Sequence, residues 1–165
     1  MAIAVVPRTS LDEVLGAAGA TLHPRYGAVM RDLIARALTL AGRSRDYATF
    51  RRGFHRTFRQ PVACDSRETV PAAFGLLALA GGEAQRCVEY AANFGRDTDT
   101  IGAMVGSISG ALAGARSLPA RWPTSLDPER LESEQRMSAQ LASVAIAKAA
   151  AQRALSTAAL ARLTS

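Results

Sequence analysis

The run Asn93-Phe94-Gly95-Arg96-Asp97-Thr98-Asp99-Thr100-Ile101 is where this sequence gathers groups able to do chemistry. Two carboxylates, Asp97 and Asp99, stand two residues apart, and the hydroxyl of Thr100 follows the second. All-oxygen donors of this kind suit a hard cation such as magnesium, whereas zinc would ask for histidine or cysteine. Gly95 lets the chain turn tightly, so that neighbouring side chains can converge on one ion. Asp97, Asp99 and Thr100 are therefore the candidate metal ligands. The same residues have a plainer use. Aspartate and threonine are good helix N-caps, and anions are favoured at a helix start. Taken by themselves, the residues leave both uses open.

The other reactive side chains point to structure. His23 and His55 have no partner of catalytic type at a recognisable spacing, and both read as structural. Cys64 and Cys87 are too few for a disulfide framework and lack metal-ligand spacing. Cys87 falls on the buried side of a helix. Asp12-Glu13 is an adjacent acidic pair, but Ser10-Leu11-Asp12-Glu13 is a capping-box pattern that accounts for it. Arg43, Arg45, Arg51, Arg52, Arg56 and Arg59 form the densest basic group. It reads either as a phosphate-binding face, for nucleic acid or a pyrophosphate, or as a solvated helix face. The solvated face is the simpler account, and nucleic acid is not expected as a partner.

The elements that must position the acidic run follow from apolar spacing. After the capping box, Leu11, Val14, Leu15 and Ala18 recur at helical intervals. Pro24 opens a second helix, with Val29, Met30, Leu33, Ile34, Ala37, Leu38 and Ala41 inward and Gly42 at its stop. A third, from about Asp46 to Phe58, carries Tyr47, Phe50, Phe54 and Phe58 on one side as core. Glu68-Thr69-Val70-Pro71 starts a fourth that reaches Ala80, because proline is tolerated in a first turn. Glu83 to Phe94 is amphipathic, with Cys87, Tyr90, Ala91 and Phe94 inward. Thr100 to Ala115 carries Gly102, Gly106, Gly110 and Gly114 at four-residue intervals. Each glycine costs about 1 kcal/mol relative to alanine. Close approach of a backbone or ligand would offset that cost, which predicts a central helix packed on several sides. Asp127-Pro128-Glu129 opens one long alanine-rich helix toward Leu163.

Composition sets the class. Hydrophobic residues make up 48% and charged residues 21%, a globular balance in a length of 165 that suits one domain. Alanine, leucine and arginine dominate, and alternating strand patterns are hard to find, so the expected class is all-α. The expected division of this single domain is a flexible start at 1–9, a helical core at 10–122 and a helical tail at 123–165. The formal charge is +6, and Lys148 is the only lysine. No stretch suits a secretory signal or a membrane span. With two unpatterned cysteines, a reduced, cytoplasmic protein is the expectation.

The stretch Gly95-Arg96-Asp97-Thr98-Asp99-Thr100-Ile101-Gly102-Ala103-Met104-Val105-Gly106, continued by glycines to Gly114, resembles the C-terminal signature of the ADP-ribosylglycohydrolases. That family includes the dinitrogenase reductase-activating glycohydrolase. Its usual form is Gly-Gly-Asp-Thr-Asp-Thr-Ile, followed by small residues and repeated glycines. Glu68-Thr69-Val70-Pro71-Ala72-Ala73 upstream and Leu118-Pro119-Ala120-Arg121-Trp122 downstream fall where the family has similar segments. The resemblance is loose from Leu11 and close from Glu68 to Trp122.

The resemblance implies an all-α fold around two magnesium ions, and hydrolysis of the bond joining ADP-ribose to a protein side chain or small acceptor. Carried over by position, Asp97, Asp99 and Thr100 match the family's C-terminal metal ligands. Arg96 stands where many members have the second glycine; it would touch a phosphate or face solvent, and solvent is the expectation. The family's N-terminal Thr-Asp-Asp cluster has no counterpart here. The expectation is thus a C-terminal half, truncated at the N-terminus, binding magnesium weakly and associating with itself through exposed apolar faces. A catalytically inactive helical remnant that binds a partner is the alternative.

Overall fold

The computed structural model describes residues 10–163, and the expected flexible start at 1–9 lies outside them. Helices account for the regular structure, and no strand occurs among the described residues. The all-α class holds. The chain divides into two units, Met1–Pro119 and Ala120–Ser165.

The first unit holds α1 (Leu11–Ala20), α2 (Ala28–Arg43), α3 (Tyr47–Phe58), α4 (Ser66–Leu79), α5 (Ala84–Ala92) and α6 (Thr98–Ala113), then a 3-10 turn at Ala115–Ser117. The capping box forms as its sequence suggests. The Ser10 side chain accepts from Glu13 N, and the Glu13 carboxylate accepts from Ser10 N at 2.7 Å. Along α3 the aromatic stripe is core: Phe50, Phe54 and Phe58 are buried, and Phe54 stacks on Phe58. Tyr47 stacks on Tyr90 and donates its hydroxyl to Tyr90 O at 2.8 Å, which joins α3 to α5.

The centre of the unit is α4. Glu68, Thr69 and every residue from Pro71 to Leu77 are buried. A helix that is apolar nearly all round has to be enclosed, and small residues let its neighbours come close. At Gly75 an added Cβ would lie 2.5 Å from Phe50 Cζ, so the ring of α3 sits where a side chain would be. The central position expected for α6 therefore belongs to α4. Helix α6 buries one face, through Ile101, Val105 and Ser109. A Cβ at Gly102 or Gly110 would meet nothing within 4 Å, and at Gly106 only Val88 at 3.7 Å. Close approach does not explain this glycine ladder among the described residues.

Several boundaries differ from expectation: α5 ends at Ala92 and not Phe94, and α6 runs over Thr98–Ala113 and not Thr100 to Ala115. Residues 24–27 form a turn, and α2 begins at Ala28. His23 Nδ1 accepts from the backbone of Arg25 and Tyr26 there, a local use that matches its structural reading. Helix α2 also runs through Gly42 to Arg43, and Val29 is exposed instead of inward. Helix α4 begins at Ser66, capped by Asp65, so Pro71 is not in its first turn. The missing proline N–H leaves the Arg67 carbonyl without its helical donor. Arg67 is exposed, where water can serve that carbonyl.

The second unit contains α7 (Arg121–Thr124) and α8 (Pro128–Leu163). Asp127 caps α8 by accepting from Arg130 N at 3.0 Å. Residues 132–155 of α8 are exposed, Met137, Leu141, Val144 and Ile146 among them. No described helix is long and apolar enough to cross a membrane.

Candidate metal centre

Asp97, Asp99 and Thr100 lie together at the start of α6. Asp97 is the N-cap residue, and Asp99 and Thr100 fall in the first turn. The N-cap use open to Asp97 can be tested by hydrogen bonding. At the caps of α1, α3, α4 and α5, the side chains of Ser10, Asp46, Asp65 and Glu83 all accept from backbone N–H groups. Asp97 makes no such bond. Its Oδ2 is buried and has no hydrogen-bond partner. Leaving a buried acceptor unsatisfied costs about 1–3 kcal/mol, and more when it is charged. Capping therefore does not account for this carboxylate.

The neighbouring carboxyl, that of Asp99, follows two residues later. Asp99 is held below the ordinary carboxylate range, first by hydrogen bonding with the Asp97 carboxyl and then by its own N–H and that of Thr100. Two carboxylates close together are each stabilised by a cation beside them. Asp99 and Thr100 are exposed. No group of three or more His, Cys, Asp or Glu side chains converges among the described residues. The turn offers two carboxylates and one hydroxyl, a donor set that fits magnesium and not zinc.

The turn before Asp97 is held from two sides. Gly95 and Arg96 both have positive φ, at 90° and 66°. Gly95 adopts this without penalty, whereas an arginine there costs about 1–3 kcal/mol and persists only where its surroundings enforce it. Arg96 is the only described non-glycine residue with positive φ. Its side chain does not face solvent, contrary to expectation. Nε donates to Glu68 Oε1 at 2.5 Å, and Nη2 donates to Glu68 Oε2 at 3.0 Å and to Gln60 O at 2.6 Å. The Glu68 side chain is 2% exposed and that of Arg96 19%. Glu68 Oε2 also accepts from Gln60 N at 2.7 Å. Pairing with Glu68 raises the pKa of Arg96 above its usual value, so this cation does not switch off.

On the other flank, α3 holds the carbonyl of Phe94. Arg51 Nε donates to it at 2.7 Å and His55 Nε2 at 2.9 Å. Because a carbonyl only accepts, Nε2 carries the proton, and Nδ1 is left as a buried acceptor without a partner. His55 is thus structural, and its partner is the Phe94 carbonyl. The basic group between Arg43 and Arg59 also splits. Arg51 is spent on Phe94, Arg45 pairs with Asp46, and Arg43, Arg56 and Arg59 are exposed. Sequence reasoning misses Arg51, His55 and Glu68 as residues of this site. The family-like Glu68-Thr69-Val70 segment is the signal that could have found the last of them.

Two grooves lie elsewhere. One of about 830 Å³, lined by Leu15, Ile34, Leu38 and Leu79 among others, includes no residue of the 93–101 run. Another of about 380 Å³ lies between α4 and α6, on Val70, Phe74, Met104 and Ile108.

Comparison with known proteins gives this turn a context. The family model described as ADP-ribosylglycohydrolase matches residues 1–160. The likeness is therefore not confined to the stretch from Leu11 to Trp122, and the match does not mark the chain as one half of the family pattern. A 60-residue stretch is 45% identical to "Uncharacterized protein YegU" of Escherichia coli (strain K12). It makes up 36% of this chain and 18% of that protein's length. No solved structure matches.

Proposed function

The chain belongs to the ADP-ribosylglycohydrolase family, and from that premise we propose that it serves magnesium-dependent removal of ADP-ribose from a protein side chain or small acceptor. Asp97, Asp99 and Thr100 would hold the ion. The observation that carries this reading is the Asp97 carboxylate, which is buried at one oxygen and unused as a cap. A cation at the turn would satisfy that oxygen.

A bound magnesium would polarise an oxygen of the substrate or lower the pKa of a water. The chain's own part is to fix where that happens. Magnesium takes about six oxygens in near-octahedral geometry. Three from this turn would fill about half of the shell, and water, substrate or other family segments would supply the rest. The N–H groups at the start of α6 add a positive field toward any anion at the turn.

The test incubates the chain with ADP-ribosylated arginine and serine peptides in magnesium, beside an Asp97→Asn control. It is repeated with a family polypeptide carrying the Thr-Asp-Asp cluster added in trans. The chain alone is expected to bind magnesium weakly and release little ADP-ribose, with release rising on addition in trans. Release that is equal with the Asp97→Asn control under both conditions would remove the turn from the chemistry.

A further inference from the structure

We propose that Arg96 and Glu68 form a positioning bridge that sets the direction of the Asp97 carboxylate. The inference deepens the metal reading and rests on it, but its first test does not need a metal.

Three chain segments meet at Glu68. Its carboxylate accepts from Arg96 Nε, from Arg96 Nη2 and from Gln60 N, while Arg96 Nη2 also reaches Gln60 O. The bridge thus ties the segment after α3, the start of α4 and the turn before α6 into one unit. Arg96 and Asp97 are adjacent, and a trans peptide fixes their Cα atoms about 3.8 Å apart. With residue 96 held at φ 66° and the Phe94 carbonyl held by Arg51 and His55, little freedom is left in the path to Asp97. The Asp97 carbonyl in turn accepts from Ile101 N at 3.1 Å, so the first helical bond of α6 depends on the same path.

A glycine at 96 would adopt this backbone without strain but would not hold it there. Magnesium demands near-ideal geometry, so a ligand free to swing binds it poorly. Arg96 is therefore a positioning residue and not a ligand. Its charge also neutralises a buried Glu68 that would otherwise add a second negative field beside the turn. The bidentate fork matters here, since lysine would supply the charge without fixing an orientation.

The experiment compares the unmodified chain with the double variant Arg96→Gly/Glu68→Gln, which removes both charges and leaves neither one buried alone. Hydrogen exchange is read at the Ile101 amide against Val105 in the same helix. Manganese binding is read by electron paramagnetic resonance. The expected result is exchange at Ile101 faster by roughly tenfold, with Val105 unchanged, and manganese bound roughly ten- to a hundredfold more weakly, the range for lost outer-shell partners. Unchanged exchange at Ile101 would overturn the bridge. Faster exchange with unchanged manganese affinity would overturn its role toward Asp97. If the unmodified chain binds no manganese while exchange still responds, the metal reading fails and the positioning of the turn stands. Should the double variant not fold, Arg96→Lys provides the same two readouts, with smaller changes of the same sign expected and no change at Ile101 refuting the bridge.

Discussion

Replacing Asp97 by asparagine separates a ligand from a structural residue, because the two roles predict opposite changes in stability. In metal-free buffer, the folded chain carries a buried carboxylate oxygen with no hydrogen bond. An unsatisfied buried acceptor costs about 1–3 kcal/mol. Asparagine keeps the shape and removes the charge. A gain of about 1 kcal/mol is expected, which in a chain of 165 residues raises Tm by about 2–4 °C. Magnesium should reverse the order. An ion that binds only the folded state adds about 1.4 kcal/mol at ten times its Kd. The unmodified chain should gain this, and the Asp97→Asn variant should gain little. Thermal unfolding followed by circular dichroism, in chelator and across a magnesium series, reads both effects. If the variant melts lower in chelator and still responds to magnesium as the unmodified chain does, Asp97 is a structural acceptor and the ligand assignment is refuted.

The glycines of α6 and α4 should respond in opposite directions. Gly102→Ala and Gly110→Ala are each expected to add up to about 1 kcal/mol in denaturant unfolding, since nothing lies near the new methyl. Gly75→Ala should cost about 1–3 kcal/mol, because its Cβ would meet the Phe50 ring. Burial pushes the Cys87 thiol up to about 11, so a thiol reagent near pH 8 should label only the exposed Cys64 in the folded chain and both in denaturant. Hydrogen bonds from Arg67 hold the Asp65 carboxyl at about 2 instead of 3.8. A carboxyl lowered on folding stabilises above its unfolded pKa, and that contribution is lost as pH falls through the folded value. Asp65→Asn should therefore flatten the acid limb of the stability curve between those two values and leave its shape near neutrality unchanged.

Features governed by near neighbours in the chain are legible in the residues themselves. The Ser10 capping box, the Phe50-Phe54-Phe58 stripe and the Asp127-Pro128 start all depend on residues three or four apart, and all three form. The identity of the central helix is harder to read, because both α4 and α6 are rich in apolar and small residues. A distinguishing signal is nevertheless present. From Val70 to Leu79 the chain has no polar side chain, whereas Ser107 and Ser109 interrupt α6. Regular glycine spacing draws attention to α6, but glycine lowers the cost of close approach without supplying a neighbour.

The acidic turn shows the same division at finer scale. Its ligand chemistry is legible because Asp97, Asp99 and Thr100 are close together in the chain. What orients them is not, since Arg96 reaches Glu68 across 28 residues and Phe94 is held by residues of α3 some 40 positions earlier. An arginine in a position that favours glycine looks in sequence like a loose surface substitution. In the fold, the strain at residue 96 is balanced by a buried carboxylate that needs a cation. Each residue makes the other tolerable: Glu68 without Arg96 would be a buried unpaired charge, and Arg96 without Glu68 would have no reason to stay left-handed. The bridge satisfies both and the Phe94 carbonyl has its donors, so at this turn the unmet demand falls on one oxygen of Asp97 and, on the α3 flank, on His55 Nδ1.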